Sequence, residues 1–523
     1  MKIVIDMQGA QAQSRKRGIG RYTLALVRGL VRQRGQHQLV LLLNRRFKES
    51  CDSLIEEFAP QIGRDNIQLW TSLTPVHQVD TANQARWQAA EALYENVLGA
   101  LNPDMVLITS LFEGVGDDAV TSIKAWRSDY PVAAILYDLI PLLHPSPYLD
   151  NPAHARWYHE KIHHLKQADL LLSISQATRQ EGLQHLGMPD SAITNISSAI
   201  DDLFIPTEVS DERQQVLRAH YSIPRPFVMY TGGIDHRKNV EGLIRAFAKL
   251  PEDLRQRHQL AIVCAVHAPE KERLHALAKR HGLREDTLVL TGYVPEQDLL
   301  ELYNLCEVFV FPSWHEGFGL PALEAMSCGA PVIASNTTSL PEVVGWEEAL
   351  FDPHSEQAIA EKITRVLTDD TFRATLKQHG LEQAKHFSWD ATAKATINAM
   401  AAYVPSDHSA TPPADSPAKP KLAYVSPLPP ERSGISDYSA ELLPELADYY
   451  DIDLIIDQAD LDPAVQQHGP QRDAAWLRDH AHEYDRVLYH FGNSSFHQHM
   501  FDLLEAVPGV VVLHDYYLSG IIA

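Results

Sequence analysis

Two glycines and two glutamates lie close together in the segment HEGFGLPALEAMSCGAPVIAS, residues 315–335. The preceding run VFVFPS is typical of a buried strand, and the proline after the glycines suits the first turn of a helix. Gly317 and Gly319 let backbone amides approach a ligand, and a helix N-terminus favours negative charge, so the segment predicts a phosphate site. Glu316 and Glu324 would accept hydrogen bonds from sugar hydroxyls. The alternative is an ordinary helix cap with two solvated glutamates.

A second polar segment, YTGGIDHRKN at residues 230–239, follows another predicted strand. Gly232 and Gly233 stand at the end of that strand, and the cations Arg237 and Lys238 follow them. Ligands bind at the carboxyl ends of strands in doubly wound folds, and an adjacent Arg and Lys can neutralise a pyrophosphate. We therefore expect a cationic binding loop here, with a pair of exposed cations on a turn as the alternative.

The elements that must position these two segments alternate between short apolar runs and amphipathic stretches. KIVIDM, QLVLLLN, DMVLITS, PVAAILYD and ADLLLSIS form a first series of predicted strands, and a second series begins near Pro224. Such alternation favours parallel, doubly wound α/β sheets. We predict one α/β domain at residues 1–200, completed by a closing helix at 388–403, and a second at residues 201–387.

The composition changes after the closing helix. Residues 404–420 are rich in proline and carry few large apolar side chains, which predicts an extended linker. The segment that follows repeats the N-terminal pattern of strand, glycine-bearing loop and helix, with Tyr438 matching Tyr22 and His514-Asp515 matching Tyr137-Asp138. We interpret residues 421–523 as part of the N-terminal domain of a second module. That fragment is expected to have no activity of its own.

The overall composition excludes several classes of protein. The chain has 523 residues with 68 acidic and 45 basic side chains, a net charge of −23 that argues against a general nucleic-acid binder. No apolar run is long enough for a membrane span, and the N-terminus does not read as a signal peptide. Four widely spaced cysteines suggest buried thiols and no zinc site. These features favour a cytoplasmic protein of about three domains.

The first 50 residues depart from this acidic average. They carry eleven Lys or Arg against Asp6 and Glu49, a local charge of +9. Such asymmetry predicts an anionic partner for one face, which could be the inner membrane leaflet or a lipid diphosphate. A solvated helix surface is the alternative.

Taken together, the motifs resemble those of the retaining family-four glycosyltransferases, which have the GT-B fold of two facing Rossmann-like domains with a cleft between them. Glu316 and Glu324 match the family's E-x7-E pattern, and Arg237 and Lys238 match its basic pair. The similarity continues through ATRQEGLQHLG, GYVPEQDLLELY and FSWDATA, and so covers residues 1–403. The resemblance implies a GT-B fold, followed by the start of a second GT-B module.

The resemblance also implies roles for individual residues. Glu324 would hold the ribose of a nucleotide sugar, Glu316 would contact the transferred sugar, and Arg237 and Lys238 would stabilise the departing diphosphate. Asp138 is expected among the catalytic residues, the loop around Gly18 and Gly20 would close over phosphate and acceptor, and the base would lie against Gly292–Val294. The expected donor-binding residues are Gly18, Gly20, Tyr137, Gly232, Gly233, Val294, Gly317, Phe318, Gly319, Leu320 and Glu324.

Two positions depart from the family pattern. Many members have an Arg where this chain has Gly233, which would leave Arg237 to carry that role. Many members also have a His before the Asp in the N-terminal domain, where this chain has Tyr137. A tyrosine can still donate a hydrogen bond, so Tyr137 is retained as a candidate contact to the donor.

The opening IDMQGAQ…RGIGRYT is similar to bacterial mannosyltransferases that build O-antigen polysaccharide. The resemblance implies a metal-independent transfer of a hexose, with GDP-mannose as the expected donor and no cofactor. A lipid-linked glycan is the expected acceptor, with peripheral attachment to the inner membrane through the basic segment. Two alternatives remain: a non-catalytic glycan-binding or scaffold module of a larger synthase, and an epimerase or glycan phosphorylase on the same fold.

Overall fold

The structure is a computed structural model that describes residues 1–404 and 419–515. The chain divides into two compact units, residues 1–405 and 406–523. Most of the predicted linker at 404–420 lies outside the described residues, as do residues 516–523. No helix within the described ranges has the length and apolar content needed to cross a membrane.

The first unit begins with a parallel sheet of seven strands in the order β3-β2-β1-β4-β5-β6-β7. The strands are short runs of Val, Ile and Leu that are buried on both faces, as expected for a sheet covered by helices on each side. They are β1 (Lys2–Asp6), β2 (Gln38–Asn44), β3 (Ile67–Trp70), β4 (Met105–Ile108), β5 (Val132–Leu136), β6 (Leu170–Ser173) and β7 (Ile193–Asn195). The helices are α1 (Gly18–Gln33), α2 (Lys48–Ile62), α3 (Gln84–Ala100), α4 (Ile140–Leu143), α5 (Pro145–Tyr148), α6 (Pro152–Leu165) and α7 (Gln176–Leu186).

A second parallel sheet follows in the same unit, with six strands in the order β10-β9-β8-β11-β12-β13. Its strands are β8 (Phe227–Thr231), β9 (Gln259–Val263), β10 (Leu288–Leu290), β11 (Val308–Phe311), β12 (Val332–Ser335) and β13 (Leu350–Phe351). Its helices are α8 (Asp211–His220), α9 (Val240–Ala248), α10 (Glu252–Arg257), α11 (Ala268–Arg280), α12 (Glu296–Leu305), α13 (Leu320–Ser327), α14 (Leu340–Val344), α15 (Glu356–Thr368) and α16 (Asp370–Ala384).

The last helix of the first unit, α17 (Trp389–Tyr403), returns to the first sheet and packs against α1. Ser388 caps it by accepting a hydrogen bond from the amide of Ala391. The helices approach closely because residue 29 is a glycine, whose missing Cβ would lie 2.7 Å from the carbonyl oxygen of Trp389. The Trp389 ring meets Tyr22 edge to face, with 5.0 Å between the ring centroids.

The second unit contains a third parallel sheet, of five strands in the order β16-β15-β14-β17-β18. Its strands are β14 (Lys421–Val425), β15 (Asp451–Ile455), β16 (Gln471–Arg472), β17 (Arg486–Phe491) and β18 (Val510–Leu513). Its helices are α18 (Gly434–Ala447), α19 (Pro463–Gln466), α20 (Ala474–His480) and α21 (His499–Ala506).

All three sheets share one feature that positions a site. In each, the first strand of the sheet lies between its second and its fourth strand, so the direction of winding reverses beside the first strand. At such a reversal the connecting loops separate, and a crevice opens at the carboxyl ends of the strands. The predicted phosphate loop follows β11 and the basic loop follows β8, which are neighbours at the reversal in the second sheet.

Candidate functional site

The phosphate loop runs from the end of β11 to the start of α13. Gly319 has φ +106°, a left-handed conformation that favours glycine, and a Cβ there would lie 2.5 Å from Leu340. A Cβ on Gly317 would clash with the carbonyl oxygen of Tyr137, in the first sheet's domain. Both predicted glycines are therefore required by close packing, and Gly317 brings the loop against the opposite domain.

The amides of this loop point to an anion site. None of the amides of Gly317, Phe318, Gly319 and Leu320 donates a hydrogen bond to another residue of the described chain. These amides precede or begin α13, where the helix dipole favours negative charge. The Phe318 side chain is buried against Phe387, so only the backbone of Phe318 can contribute to binding.

The two cations of the basic loop converge on one carboxylate of the phosphate loop. Lys238 Nζ lies 2.6 Å from Glu316 Oε1, and Arg237 Nη1 lies 3.0 Å from Glu316 Oε2. Arg237 also donates to the carbonyl oxygen of His315 at 2.8 Å. Asn239, with φ +53°, fixes the loop by donating to the carbonyl oxygens of Pro312 and Pro353. Residues far apart in sequence thus form one charged cluster.

Glu316 is 7% exposed, so its charge depends on the neighbouring cations. Burial alone would raise the pKa of this carboxyl, but Lys238 and Arg237 outweigh burial and lower it. Glu316 is therefore ionised at neutral pH. It provides the counter-charge that two largely buried cations need when no anionic ligand is bound.

Gly232 and Gly233 lie at the start of the basic loop, immediately after β8. Gly232 has φ +139°, and the hydroxyl of Tyr230 donates to the carbonyl oxygen of Gly233 at 2.6 Å. Both glycines therefore shape the turn through which the chain leaves the sheet. The absence of a side chain at Gly233 leaves Arg237 and Lys238 as the cations of this loop.

The opposite wall of the cleft comes from the end of β5. Asp138 follows this strand, and its Cβ would lie 3.2 Å from a Cβ placed on Gly317. Burial raises the pKa of the Asp138 carboxyl, while the amide of Ile140 and the charge of Arg237 act in the opposite direction. Asp138 thus faces the phosphate loop and the basic pair across the interface between the two domains.

Tyr137 is oriented into its own domain. Its hydroxyl donates to the carbonyl oxygen of Thr109 at 2.9 Å, and its ring meets Tyr22 edge to face at 5.1 Å between centroids. Burial raises its pKa, so the phenol stays protonated. The hydrogen bond that we expected Tyr137 to offer a donor sugar is used within the first domain.

Glu324 lies on α13, beyond the phosphate loop. The hydroxyl of Tyr303 donates to Glu324 Oε2 at 2.8 Å, and burial raises the pKa of the carboxyl. The predicted base-binding segment lies before α12, where Gly292 has φ +80° and Val294 packs against the core. Tyr293 between them is 78% exposed.

Gly18 and Gly20 were expected in a loop, and that expectation is wrong. Both lie in the first turn of α1, and the polar loop ends at Arg17. Gly20 is needed because a Cβ there would clash with the backbone of Ser14 and Arg15, which crosses over the helix end. Gly18 has open space around it.

Comparison with known proteins identifies the second domain. The family model of glycosyl transferases group 1 matches residues 215–383, a range that includes the basic loop, the phosphate loop and both glutamates. The chain contains a group 1 glycosyltransferase domain.

Curated relatives match a longer stretch of the chain than the family model does. The chain is 38% identical over 398 residues to the serotype-specific mannosyltransferase WbdA of Escherichia coli, covering 76% of this chain and 47% of WbdA. It is 39% identical over 245 residues to the O-antigen chain mannosyltransferase B of Escherichia coli, covering 47% of this chain and 64% of that protein. The chain thus spans about half the length of the WbdA proteins that it matches.

Solved structures show the fold. Anabaena Alr3699/HepE in complex with UDP and glucose aligns with a TM-score of 0.54 at 20% identity, over 77% of this chain and 100% of that chain. WaaG, a glycosyltransferase involved in lipopolysaccharide biosynthesis, aligns with a TM-score of 0.52 at 14% identity, over 76% of this chain and 99% of that chain. The predicted GT-B fold is confirmed.

The candidate site includes side chains to which the sequence analysis gave no role. Thr178 of α7 donates to the carbonyl oxygen of Gly317 at 3.0 Å, across the domain interface. His315 contacts His144 and Glu181, both from the first domain. The only sequence signal for the two α7 residues was that ATRQEGLQHLG matched the family pattern. His144 carried no such signal, because its contact joins residues 171 positions apart.

One cluster in the described part of the chain has metal-type ligands, and it does not fit a divalent ion. Glu91, Glu160 and His164 bring ligand atoms within 4.8 Å of one another. The amide of Ile123 donates to His164 Nδ1 at 3.1 Å, which places the imidazole proton on Nε2, the other possible ligand atom. The ammonium of Lys161 already lies 3.8 Å from Glu91 and offsets its charge. This cluster is therefore a structural part of the first domain.

Proposed function

We propose that this chain is a retaining glycosyltransferase that moves a hexose from a nucleotide diphosphate sugar onto a glycan hydroxyl. One observation carries the proposal: Arg237 and Lys238 meet at Glu316, beside four loop amides that have no partner in the described chain. A diphosphate is the ligand that would use both the cations and the amides. The group 1 family match over the same residues supports this assignment.

In this proposal the diphosphate occupies the mouth of the second sheet. The amides from Gly317 to Leu320 hold its phosphates, and the hydroxyls of the ribose reach Glu324. Negative charge grows on the diphosphate as the bond to the sugar breaks, and Lys238 and Arg237 stabilise that charge. These cations are already fixed by Glu316, so little reorganisation is needed as the reaction proceeds.

The arrangement favours attack from the side of the leaving group. Both oxygens of Glu316 are bound to cations, which makes this carboxylate a poor covalent nucleophile. The acceptor hydroxyl would instead lose its proton to the departing phosphate and bond to the same face of the sugar. Asp138, across the cleft, is placed to orient the sugar or the acceptor.

GDP-mannose is the proposed donor, and a bacterial surface polysaccharide such as O-antigen is the proposed product. Support comes from relatives at 37–39% identity, three of which are described as serotype-specific mannosyltransferases and one as an O-antigen chain mannosyltransferase. Transfer from a nucleotide sugar to such a glycan would take place in the cytoplasm, at the inner membrane face.

We also propose that transfer needs neither a metal ion nor a cofactor. The argument is that two cationic side chains stand where a divalent ion would otherwise neutralise the diphosphate. EDTA is then expected to leave the initial rate unchanged. Loss of activity in EDTA with recovery in magnesium or manganese would contradict this part of the proposal.

The basic N-terminal segment is the proposed contact for an anionic acceptor or membrane. Four of its cations are neutralised by acidic partners: Arg15 by Glu49, Arg21 by Glu296, Arg28 by Glu57 and Arg32 by Asp390. Lys16, Arg17, Arg45 and Lys48 are exposed and form no ion pair within the described ranges. All four follow β1 or β2 at the carboxyl edge of the first sheet, on the side where an acceptor would enter.

Binding to liposomes tests this surface. Vesicles with anionic lipid should bind the protein, and binding should weaken as salt rises because the charges are exposed. Replacing Lys16 and Arg17 by Glu should reduce binding and slow transfer to a lipid-linked acceptor. A matched reversal of Lys279 and Arg280, exposed cations on α11, should leave both unchanged. Equal binding by both variants would favour a solvated surface without a partner.

The transferase proposal itself is tested by two measurements. Thermal shift with GDP, UDP and ADP sugars should show stabilisation by one base, expected to be guanine. Release of nucleoside diphosphate should then require a glycan acceptor. Glycan binding without nucleotide release would favour the non-catalytic scaffold instead. Conversion of the nucleotide sugar to its epimer, or release of a sugar phosphate from a glycan, would favour the epimerase or the glycan phosphorylase.

A further inference from the structure

His315 is held by two side chains of the opposite domain. Its Nδ1 lies 3.2 Å from His144 Nε2, and its Nε2 lies 2.8 Å from Glu181 Oε1. His315 and Glu181 are both largely buried, with side chains 9% and 13% exposed. His144 follows α4 and Glu181 lies on α7, whereas His315 belongs to the phosphate loop.

His315 is also bonded to the catalytic cluster. Its carbonyl oxygen accepts a hydrogen bond from Arg237 at 2.8 Å, and the next residue, Glu316, binds both cations of the basic loop. His315 therefore contacts the first domain through its side chain and Arg237 through its backbone. A shift of the His315 side chain would move the acceptor that orients the Arg237 guanidinium.

Helix α7 contacts the phosphate loop at a second point. Thr178, one turn before Glu181, donates to the carbonyl oxygen of Gly317 at 3.0 Å. Residues 315 and 317 are thus fixed to the same helix of the first domain, on either side of Glu316. Glu181 Oε2 and His315 Nε2 are both buried and neither forms a hydrogen bond within the described residues, so Glu181 and His315 meet at ion-pair distance without hydrogen-bond geometry.

We propose that His315 and Glu181 are positioning residues, which make the placement of Arg237 and Glu316 depend on the contact between α7 and the phosphate loop. The proposal rests on the proposed transferase function. It adds a role for the first domain, which is to order the cations that stabilise the leaving diphosphate. His144 supports the same arrangement from the other side of the imidazole.

The expected consequence is a loss in turnover with little change in donor affinity. The loop amides and Glu324, which bind the donor in its ground state, do not depend on Glu181. The cations act on charge that develops only as the bond breaks, so a small displacement reduces kcat more than it changes KM. Glu181→Ala and His315→Leu should each lower kcat about 10- to 100-fold, with donor KM within about threefold of the wild type.

Matched controls separate this role from a general effect on folding. Gln184→Ala and His185→Leu change exposed residues on the same helix and should retain wild-type kinetics. Glu181→Gln keeps the shape and one acceptor oxygen, and should recover much of the lost turnover. Rates are expressed per nucleotide-binding site, so that a fraction of misfolded protein does not lower the apparent kcat.

The double variant tests whether the two residues act together. If Glu181 acts through His315, the variant carrying both Glu181→Ala and His315→Leu should be no slower than the slower single variant. Multiplied losses would mean that the residues act independently, and would overturn the proposed coupling. A change confined to KM would overturn the positioning role.

Hydrogen–deuterium exchange of the full chain provides a readout that does not require activity. Glu181→Ala should raise deuterium uptake in peptides covering residues 235–239, which Glu181 does not contact, and Gln184→Ala should not. Unchanged uptake in those peptides would overturn the inference even in an active enzyme. Raised uptake in a protein that binds nucleotide but transfers no sugar would retain the coupling and reject the transferase function.

Discussion

The first and third sheets share the pairing of their first strands, but their fifth strands have different neighbours. In each, the first strand pairs with the second and fourth strands in parallel. In each, an aromatic residue of the first helix meets the residue after the fifth strand edge to face. Tyr22 and Tyr137 lie 5.1 Å apart between ring centroids, and Tyr438 and His514 lie 5.0 Å apart.

The two sheets differ in what lies beside their fifth strands. In the first sheet β5 is paired on both sides and is at most 2% exposed, and the Gly317 loop lies against the residues that follow it. In the third sheet, within residues 419–515, β18 is paired on one side, and its Val510 and Leu513 are 58% and 50% exposed. The shared pattern therefore builds half of a cleft, and the proposed diphosphate chemistry depends on the facing domain.

The largest effect is expected at Lys238, which belongs to the domain that faces the first sheet. Lys238→Ala removes a charge that we propose stabilises the leaving diphosphate, and it should lower kcat about 10- to 1000-fold. Lys279→Ala, at an exposed position on α11, is the control and should have no effect. A Lys238→Ala enzyme with wild-type turnover would show that the facing cations are not what distinguishes the first sheet from the third.

The third sheet should be sensitive to acid at His490, which takes the place that Thr109 has in the first sheet. Burial, together with His514 and His497, lowers the pKa of His490 to about 4, so its neutral form contributes stability that is lost as pH falls below the unfolded value. From pH 7 to pH 5 the loss should be about 2 kcal/mol, measured as a shift in the urea midpoint of the second unit by the fluorescence of Trp476.

His490→Thr introduces a hydroxyl residue like Thr109 of the first sheet and should flatten this pH dependence. His482→Thr, at an exposed position, should retain it. An unchanged slope in His490→Thr would mean that other groups control the acid response of this unit.

A smaller effect is expected at Glu324 of the facing domain, because its proposed contact with the donor already exists in the ground state. Glu324→Ala removes an acceptor for the ribose hydroxyls and should raise the donor KM about tenfold, with kcat changed less. Isothermal titration with the nucleotide diphosphate should show the same loss of affinity. Glu272→Ala, an exposed residue of α11, is the control, and a fall in kcat alone would place Glu324 in the chemical step.

The smallest effect is expected from removing the third sheet altogether. A chain ending at Tyr403 should keep donor binding and turnover within about twofold of the full chain, since residues 1–405 form a compact unit. It should also be more soluble, because exposed apolar edge strands promote association. Val510→Lys in the full chain should also improve solubility. A correctly folded but inactive shorter chain would show that the second unit completes the first active site.

Local patterns in the sequence predicted most of the fold. Runs such as KIVIDM and VFVFPS carry enough buried apolar side chains to specify strands by themselves, and the doubly wound order followed from their alternation with helices. In the first sheet the short strands β3 and β7 were missed, because three or four residues carry too little pattern. Gly18 and Gly20 were placed in a loop because glycine usually ends helices, whereas close passage of the chain at Ser14 requires Gly20 within α1.

The sequence also singled out the phosphate loop, the basic pair and both glutamates as candidates, because residues of suitable chemistry lie close together in the chain. It did not show that Glu316 binds Arg237 and Lys238, that Tyr137 is turned toward Thr109, or that Glu181 and His144 hold His315. Each of these contacts either joins segments that are distant in the chain or depends on whether a side chain turns toward its own domain or toward the cleft. Only the packing of one domain against the other brings such groups within hydrogen-bonding distance, so the tertiary structure decided how the charges are paired.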